Sequence, residues 1–565
     1  FDGSVVEVAS MAEFMSALQN PTVSIISLQA DLTQSANNVM NINRSIMIQG
    51  NGHTLTFNNN NAYFRLTTVN EETTFRLENL SYHKTGNTAL IQTTNILSRD
   101  WVVEVANVEE VATNRSPFIL AREAKVHFTG GINRFEAMTM DSDTLFNLKE
   151  VEASNQAQVI INKPNMWIFY TAPDISDPRL LIDEGAQVTI VTQQGAANTI
   201  DLRGDNGKVI LDHNAHLDIQ SPGAATNATN EANNALILSG KNPTFIAAEN
   251  AVFSINVTER KRGLALTGDQ PELSIQSRAD VSIKTVNANA ILLNGGTPSM
   301  TITGDRTFLR VTNEFAAEAN AIDIRGDNGA FSISEEGSLF IQSQGATIEA
   351  SNNQNNAIMM SGANPKMIVS EAAFVQIEAT QRRRGLFLTG DNPHLVIQSG
   401  SKANLTAGNA NALRVDGKNA DVTITGQDTH VSISSKITAA EGAASFVLTT
   451  PANASESGVL MVSDSAVLEV ESIDSSAINV TSLGFTFEVQ SNGKLITSSQ
   501  YANGDHATIR FLYYGLVTFH VTDGGTVNVF KTGGSAPLIR IPSGGNSFEI
   551  SDGGIVDLYN PGTGT

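Results

Sequence analysis

A block of 122 residues occurs twice in tandem without a gap, and that leaves few folds open. "IDLRGDNG" at 200–207 returns as "IDIRGDNG" at 322–329, and "ALILSGKNP" at 235–243 returns as "AIMMSGANP" at 357–365. "TERKRGLALTGDQP" at 258–271 returns as "TQRRRGLFLTGDNP" at 380–393. Inside each block runs a finer period. Gly204, Gly240, Gly268, Gly295, Gly326, Gly362, Gly390 and Gly417 each end a short apolar run, with gaps of 36, 28, 27, 31, 36, 28 and 27 residues. The first four gaps make up one 122-residue block, so a block is four smaller units.

The positions four and two before each of these glycines are apolar throughout, from Ile200 and Leu202 to Leu413 and Val415. So are the positions five and seven after it, from Val209 and Leu211 to Val422 and Ile424. Spacing of two marks a strand with one face on a core. A third strand follows, as at Leu217 and Ile219 or Leu339 and Ile341, and turn residues such as "GDNG" and "GKNP" separate the strands. Three short strands per coil of about 30 residues predict an all-β, right-handed parallel β-helix, a solenoid whose coils stack at about 4.8 Å. Chain length predicts roughly 16–19 coils over about 80–90 Å. A solenoid needs covered ends. "SMAEFMSALQ" at 10–19 puts Met11, Phe14, Met15 and Leu18 on one helical face and is the expected N-terminal amphipathic helix cap. The expected layout is one continuous β-helix domain: cap at 1–30, irregular coils with loop insertions at 31–195, regular coils at 196–417, and C-terminal coils at 418–565. "NKPNMWIFYTAPDISDPR" at 162–179 reads as one of the loops, with Trp167, Phe169 and Tyr170, and Trp101 before it, as aromatics of the irregular part.

One polar column runs through the repeat. Asn198, Asn234, Asn289, Asn320, Asn356 and Asn411 stand six residues before their glycines and are expected to form an amide ladder at a coil corner. Arg262 and Arg384 break the column. They belong to the basic blocks Arg260, Lys261, Arg262 and Arg382, Arg383, Arg384, in a chain whose net charge is −22. Arginine suits paired hydrogen bonds to carboxylate or phosphate. The two patches, about 19 Å apart by strand spacing, are the candidate ligand-binding residues for an anionic polymer. Replacing Arg382, Arg383 and Arg384 together by Ser is expected to leave the fold intact and weaken that binding.

The opening "MAEFMSALQNPTVSIISLQADLTQ", then "INRSIMIQGNGHTLTF", has the order helix, strand, strand and the motif Ile48–Phe57. It is similar to the N-terminal part of the pectate-lyase-like adhesive domains of Gram-positive cell-surface adhesins. The resemblance implies a right-handed parallel β-helix on a wall-attached, extracellular protein. Its implied partner is an extracellular polysaccharide, another glycan or a host surface protein.

Enzymatic readings need constellations that the sequence does not assemble. A lyase of this type needs clustered acids for Ca²⁺ and a base, and a hydrolase needs carboxylates at glycosidase spacing. Asp201 and Asp323, expected to face outward, lie four coils apart. Asp205, Asp269, Asp327 and Asp391 sit in turns, where Asp is common. The Arg-Gly-Asp turns at Arg203, Gly204, Asp205 and Arg325, Gly326, Asp327 add only the Arg to a glycine that every coil has. No catalytic residue, cofactor or metal is assigned. A polysaccharide lyase or hydrolase of the tailspike kind, and a passive stalk, are the alternatives to a non-enzymatic adhesin. With no cysteine in the chain, disulfides and Cys-ligated zinc are excluded. The acidic balance speaks against nucleic acid, and no apolar run of membrane-spanning length occurs. The ends "FDGSVVEV" and "YNPGTGT" read as those of an excised piece, with export signal and anchor removed. The expected state is a monomer.

Overall fold

The computed structural model describes residues 1, 3–93, 99–113, 116–136, 144–223, 233–316, 319–345, 355–437, 444–450, 458–500, 506–512, 516–542 and 544–561. The chain forms two compact units, Phe1–Gly268 and Asp269–Thr565. Each is an all-β parallel solenoid with almost no helix, and the chain makes about 16 turns in all.

Register follows the glycine spacing. In the first unit Ile200 pairs with Leu236, Val209 with Phe245 and Leu217 with Phe253, each 36 residues on and each in parallel. In the second, Ile322 pairs with Ile358, Phe331 with Met367 and Leu339 with Val375, again 36 on. The next return is 28 residues long, as in Ile358↔Leu386. A strand thus finds its hydrogen-bond partner one sequence repeat away, and like residues stack on like. The apolar columns read from the sequence are the core: Ile200, Leu236, Ile322 and Ile358 are at most 1 % exposed, as are Val209, Phe245, Phe331 and Met367.

Coil length changes only at corners. The glycine corners are backbone-on-backbone contacts: Gly326 has φ +144°, and a Cβ on it would lie 1.7 Å from the carbonyl oxygen of Gly295. The stretch before the repeats uses a different corner. Strands Thr73–Lys84 and Trp101–Thr113 run straight through it with a single left-handed Asn, Asn79 (φ 51°) or Asn107 (φ 52°). Phe118, Phe128, Phe135 and Phe146 fill the core of these coils edge to face. Trp101 is fully buried, and its indole N–H donates to the Thr67 carbonyl at 2.6 Å. The stretch expected to be a loop at 162–179 instead contains the strand Trp167–Thr171, whose Phe169 pairs with Ile200. Pro164, Pro173 and Pro178 flank the strand, so the loop character of the stretch lies at its edges.

A helix spans Met11–Gln19, with Ser10, expected inside it, as the N-cap. Ser10 Oγ accepts from the Glu13 amide, and the Glu13 carboxylate accepts from the Ser10 amide, a reciprocal capping box. Phe14, Ala17 and Leu18 are its buried residues, with Met11 and Met15 half-buried. The Arg44 guanidinium closes the other end by donating to the Leu18 and Asn20 carbonyls at 3.1 and 2.7 Å.

Gly326→Ala tests the corner contact. The side chain requires backbone displacement at a φ that L-residues rarely adopt, so we expect a loss of roughly 1–3 kcal/mol of unfolding free energy, read as a lower denaturant midpoint. An unchanged midpoint contradicts the close approach.

Candidate functional site

The two basic blocks divide in the same way. In each, the middle residue points inward. Lys261 is 1 % exposed, and its ammonium donates to the Ala197 carbonyl at 2.9 Å and to Ser221 Oγ at 2.6 Å. Arg383 is fully buried and donates to the Ala319 carbonyl at 2.8 Å. Each acceptor carbonyl stands 64 residues before its donor, so the two blocks use one design. Burial pulls Lys261 down to about 7 and Arg383 down to about 9. The flanking residues are more open: Arg382 is exposed, and Arg260, Arg262 and Arg384 are half-buried. The Arg384 guanidinium lies 5.4 Å from the Phe387 ring centroid, as does that of Arg414.

What draws the middle cation inward is a buried polar column that the sequence reading missed. In the second unit Thr285, Asn313, Ser343, Ala379, Ala407, Ser435, Ser472, Ser499 and Lys531 stack in register at the end of successive strands. Their polar members are buried, and most bond to one another or to corner groups, as in Asn313 Nδ2 to Thr285 Oγ1 at 2.7 Å, while Ser343 Oγ is buried without a partner among the described residues. Ala379 carries no polar group, and in that coil Arg383 turns in. In the first unit Val257 and Lys261 show the same exchange. The side chain needs room, which Gly345 and Gly223 give: a Cβ on either would lie 2.7 or 2.8 Å from the Cβ of Arg383 or Lys261. The sequence signal was there, since Gly223 and Gly345 are also 122 residues apart.

The asparagine column lies beside the blocks. Asn234 Nδ2 donates to Asn198 Oδ1 at 3.0 Å, and Asn356 Nδ2 to Asn320 Oδ1 at 2.8 Å. Asn234 pairs in register with Arg262, and Asn356 with Arg384. Asn289 and Asn411 use their amides differently, donating to the carbonyls of Asn320 and Ala444 at 2.7 Å. Asp201 and Asp323 are buried, not outward-facing, because they serve this corner. Asn198 Nδ2 donates to Asp201 at 2.8 Å and Asn320 Nδ2 to Asp323 at 2.9 Å. Those carboxylates also hold the arginines of the Arg-Gly-Asp turns. Arg203 contacts Asp201 at 2.8 Å and Arg325 contacts Asp323 at 2.6 Å. Asp205 and Asp327 accept from the Lys241 and Ala363 amides. Gly204 and Gly326 are corner glycines packed on the Ile175 and Gly295 carbonyls.

A second ladder runs along the exposed turns. Asn364 donates to Asn328, Asn392 to Asn364 and Asn419 to Asn392, at 2.8–2.9 Å, all four left-handed. The outer face of the second unit also carries half-buried Phe308, Phe340 and Phe374, with ring centroids 6.4 and 5.5 Å apart. In the first unit Asp212, His213 and Glu249 bring ligand atoms within 4.8 Å of one another. They are the described residues best placed to hold a metal ion. Asp183 Oδ1 accepts from His213 Nδ1 at 2.7 Å and heads the contacts that raise the His213 pKa.

A concavity of the first unit lies elsewhere. A groove of about 480 Å³ is lined by Asn51, Gly52, Asn79, Leu80, Ser81, Asn107, Glu109, Ile132 and Arg134. The corners at Asn79 and Asn107 are single bent residues, whereas the coils on either side turn through Asn51–Gly52 and Gly130–Gly131. The two-residue turns stand proud and the bent strands between them are recessed.

The buried ammonium gives a pH test. Because the folded-state pKa of Lys261 is depressed to about 7, the unfolded chain holds the proton more tightly. Its unfavourable contribution grows as pH falls from about 10 to 7 and is constant below. Against Lys261→Met, the wild type should lose on the order of 1–4 kcal/mol across that window. A constant difference between the two proteins contradicts the burial.

No curated protein and no solved structure matches the chain. A family model described as a pectate lyase-like adhesive domain matches residues 5–126. That part of the chain is therefore similar to the pectate lyase-like adhesive domains, the family to which the helix and the Ile48–Phe57 motif pointed.

Proposed function

We propose that the chain is a non-enzymatic adhesin region of a Gram-positive surface protein, holding a surface polymer against a β-solenoid. The observation that carries this reading is the match of residues 5–126 to a domain described as adhesive. In this reading the solenoid is right-handed with three strands per coil; the return of each repeat strand to its third successor supports the strand count. The helix Met11–Gln19 is its end cap, supported by its buried Phe14, Ala17 and Leu18. The protein sits outside the cell on the wall, and no helix of the described residues is long and apolar enough to cross a membrane. Its partner is an extracellular polysaccharide, another glycan or a host surface protein.

Of the six basic residues, Arg260, Arg262, Arg382 and Arg384 are the ones that contact an anionic polymer. Lys261 and Arg383 shape the corner that presents them.

The structure changes how this must be tested. Substituting the whole 382–384 block removes a buried guanidinium together with two outer ones, and is expected to unfold the corner. Arg382→Ser with Arg384→Ser should keep the unfolding midpoint within about 0.5 kcal/mol and weaken binding to immobilised polygalacturonate at low salt several-fold. Arg383→Met should lower the midpoint and leave the salt dependence of binding in place. Equal binding by the double variant retires the polymer-binding role. Incubation with polygalacturonate should yield no unsaturated products or new reducing ends; turnover would establish the lyase or hydrolase alternative instead.

A further inference from the structure

We propose that the groove of the first unit is a binding site for the hydroxyl-rich ring of a neutral saccharide, separate from the basic corners. Its size falls in the range of small-ligand sites, about 300–1,000 Å³, and its shape comes from the backbone, with recessed corners at Asn79 and Asn107 between two raised turns. That makes it a standing feature of the fold. Gly52 leaves it open on one side: a Cβ there would meet nothing within 4 Å.

The lining supplies what a sugar ring needs. Asn107 spends both ends of its amide on the scaffold, donating to Asn79 Oδ1 and accepting from the Ile132 amide, each at 2.9 Å. Asn51 Nδ2 is likewise committed to Ser27 Oγ and the Leu28 carbonyl. The side chains are thereby fixed, while Asn79 Nδ2, Asn51 Oδ1, Ser81 Oγ and the Glu109 carboxylate have no partner among the described residues. Donors and acceptors are mixed at short range, which suits hydroxyls that both give and accept. The 44 % exposed Ile132 adds apolar surface for the C–H face of a ring.

Charge decides between neutral and anionic ligands. Arg134 stands in register with Glu109 and is bonded to Glu136 at 3.3 Å, so two carboxylates share one guanidinium and the local balance is acidic. A uronate or phosphate would meet the Glu109 carboxylate in a chain of net charge −22. A metal ion would find only one anionic oxygen donor group in the lining, fewer than a hard cation collects. A neutral ring can give two vicinal hydroxyls to the same carboxylate as charge-assisted hydrogen bonds.

The test uses the whole chain and calorimetric titration in about 0.5 M NaCl, where the screening length is only a few ångströms and the basic corners are silenced. The probes are neutral tetrasaccharides of glucose, mannose and galactose, with tetragalacturonate as the anionic comparison. We expect at least one neutral probe to bind, and Glu109→Gln and Ser81→Phe each to weaken it at least about fivefold. Arg382→Ser with Arg384→Ser should bind it as the wild type does. If Ser81→Phe unfolds, Glu109→Gln alone decides, since its side chain is exposed and of equal size. The proposal is overturned if no neutral probe binds at millimolar concentration, if only tetragalacturonate binds, or if both groove variants bind like the wild type. Loss of the basic-corner function would leave each of these outcomes unaffected.

Discussion

Parallel backbone pairing between successive coils is the constraint on which everything else rests. A parallel sheet gives each residue a neighbour of the same kind one repeat on, and the ladder carries its hydrogen bonds outward from coil to coil. Once Ile322 pairs with Ile358 and Ile358 with Leu386, the residues between can vary only where the chain leaves the sheet. Return lengths of 27 to 36 residues are therefore absorbed at the corners. The corners are also where charge, amide ladders, buried cations and the groove are found.

A polar group inside such a stack is costly unless it has a partner, because its neighbours above and below are fixed by register. The chain meets that cost with columns. Asn313 donates to Thr285 in the adjacent coil, and Asn198 and Asn234 form an amide rung. Where a column lapses, at Val257 and Ala379, a long cation from the next corner enters instead and bonds to a carbonyl 64 residues back. Single buried ions are handled locally in the same spirit. Lys84 donates to three backbone carbonyls, those of Asn59, Asn60 and Thr85, and burial draws it down to about 8. Lys163 pairs with Glu110 out of contact with water.

Much of this was legible in the residues, for a physical reason. Period-two apolar columns such as Leu202, Leu238, Leu266 can only be a core, and they are. Of the expected Asn ladder, the rungs Asn198–Asn234 and Asn320–Asn356 form, while Asn289 and Asn411 turn to backbone carbonyls. The direction of a side chain at a corner was not legible. Lys261 and Arg383 look like their neighbours in a string of three basic residues, and only the small residues opposite, Gly223 and Gly345, betray that one of the three turns in. Asp201 and Asp323 were misplaced for a related reason. Strand alternation assigns them outward, but Asn198, Asn320, Arg203 and Arg325 close over them. The groove was invisible because it is made by a difference in turn length between adjacent coils, which no single residue reports.

The central claim is that each basic block is one inward staple between outward cations, and chemical accessibility measures that directly. Lys261 is drawn to about 7, so above pH 8 its amine is mostly neutral and would be the most reactive lysine of the chain if a reagent could reach it. Brief acetylation of the native protein at pH 8.5, read by peptide mass spectrometry, should modify exposed Lys241 and leave Lys261 untouched until denaturant is added. Modification of native Lys261 at a rate equal to or above that of Lys241 would contradict the account.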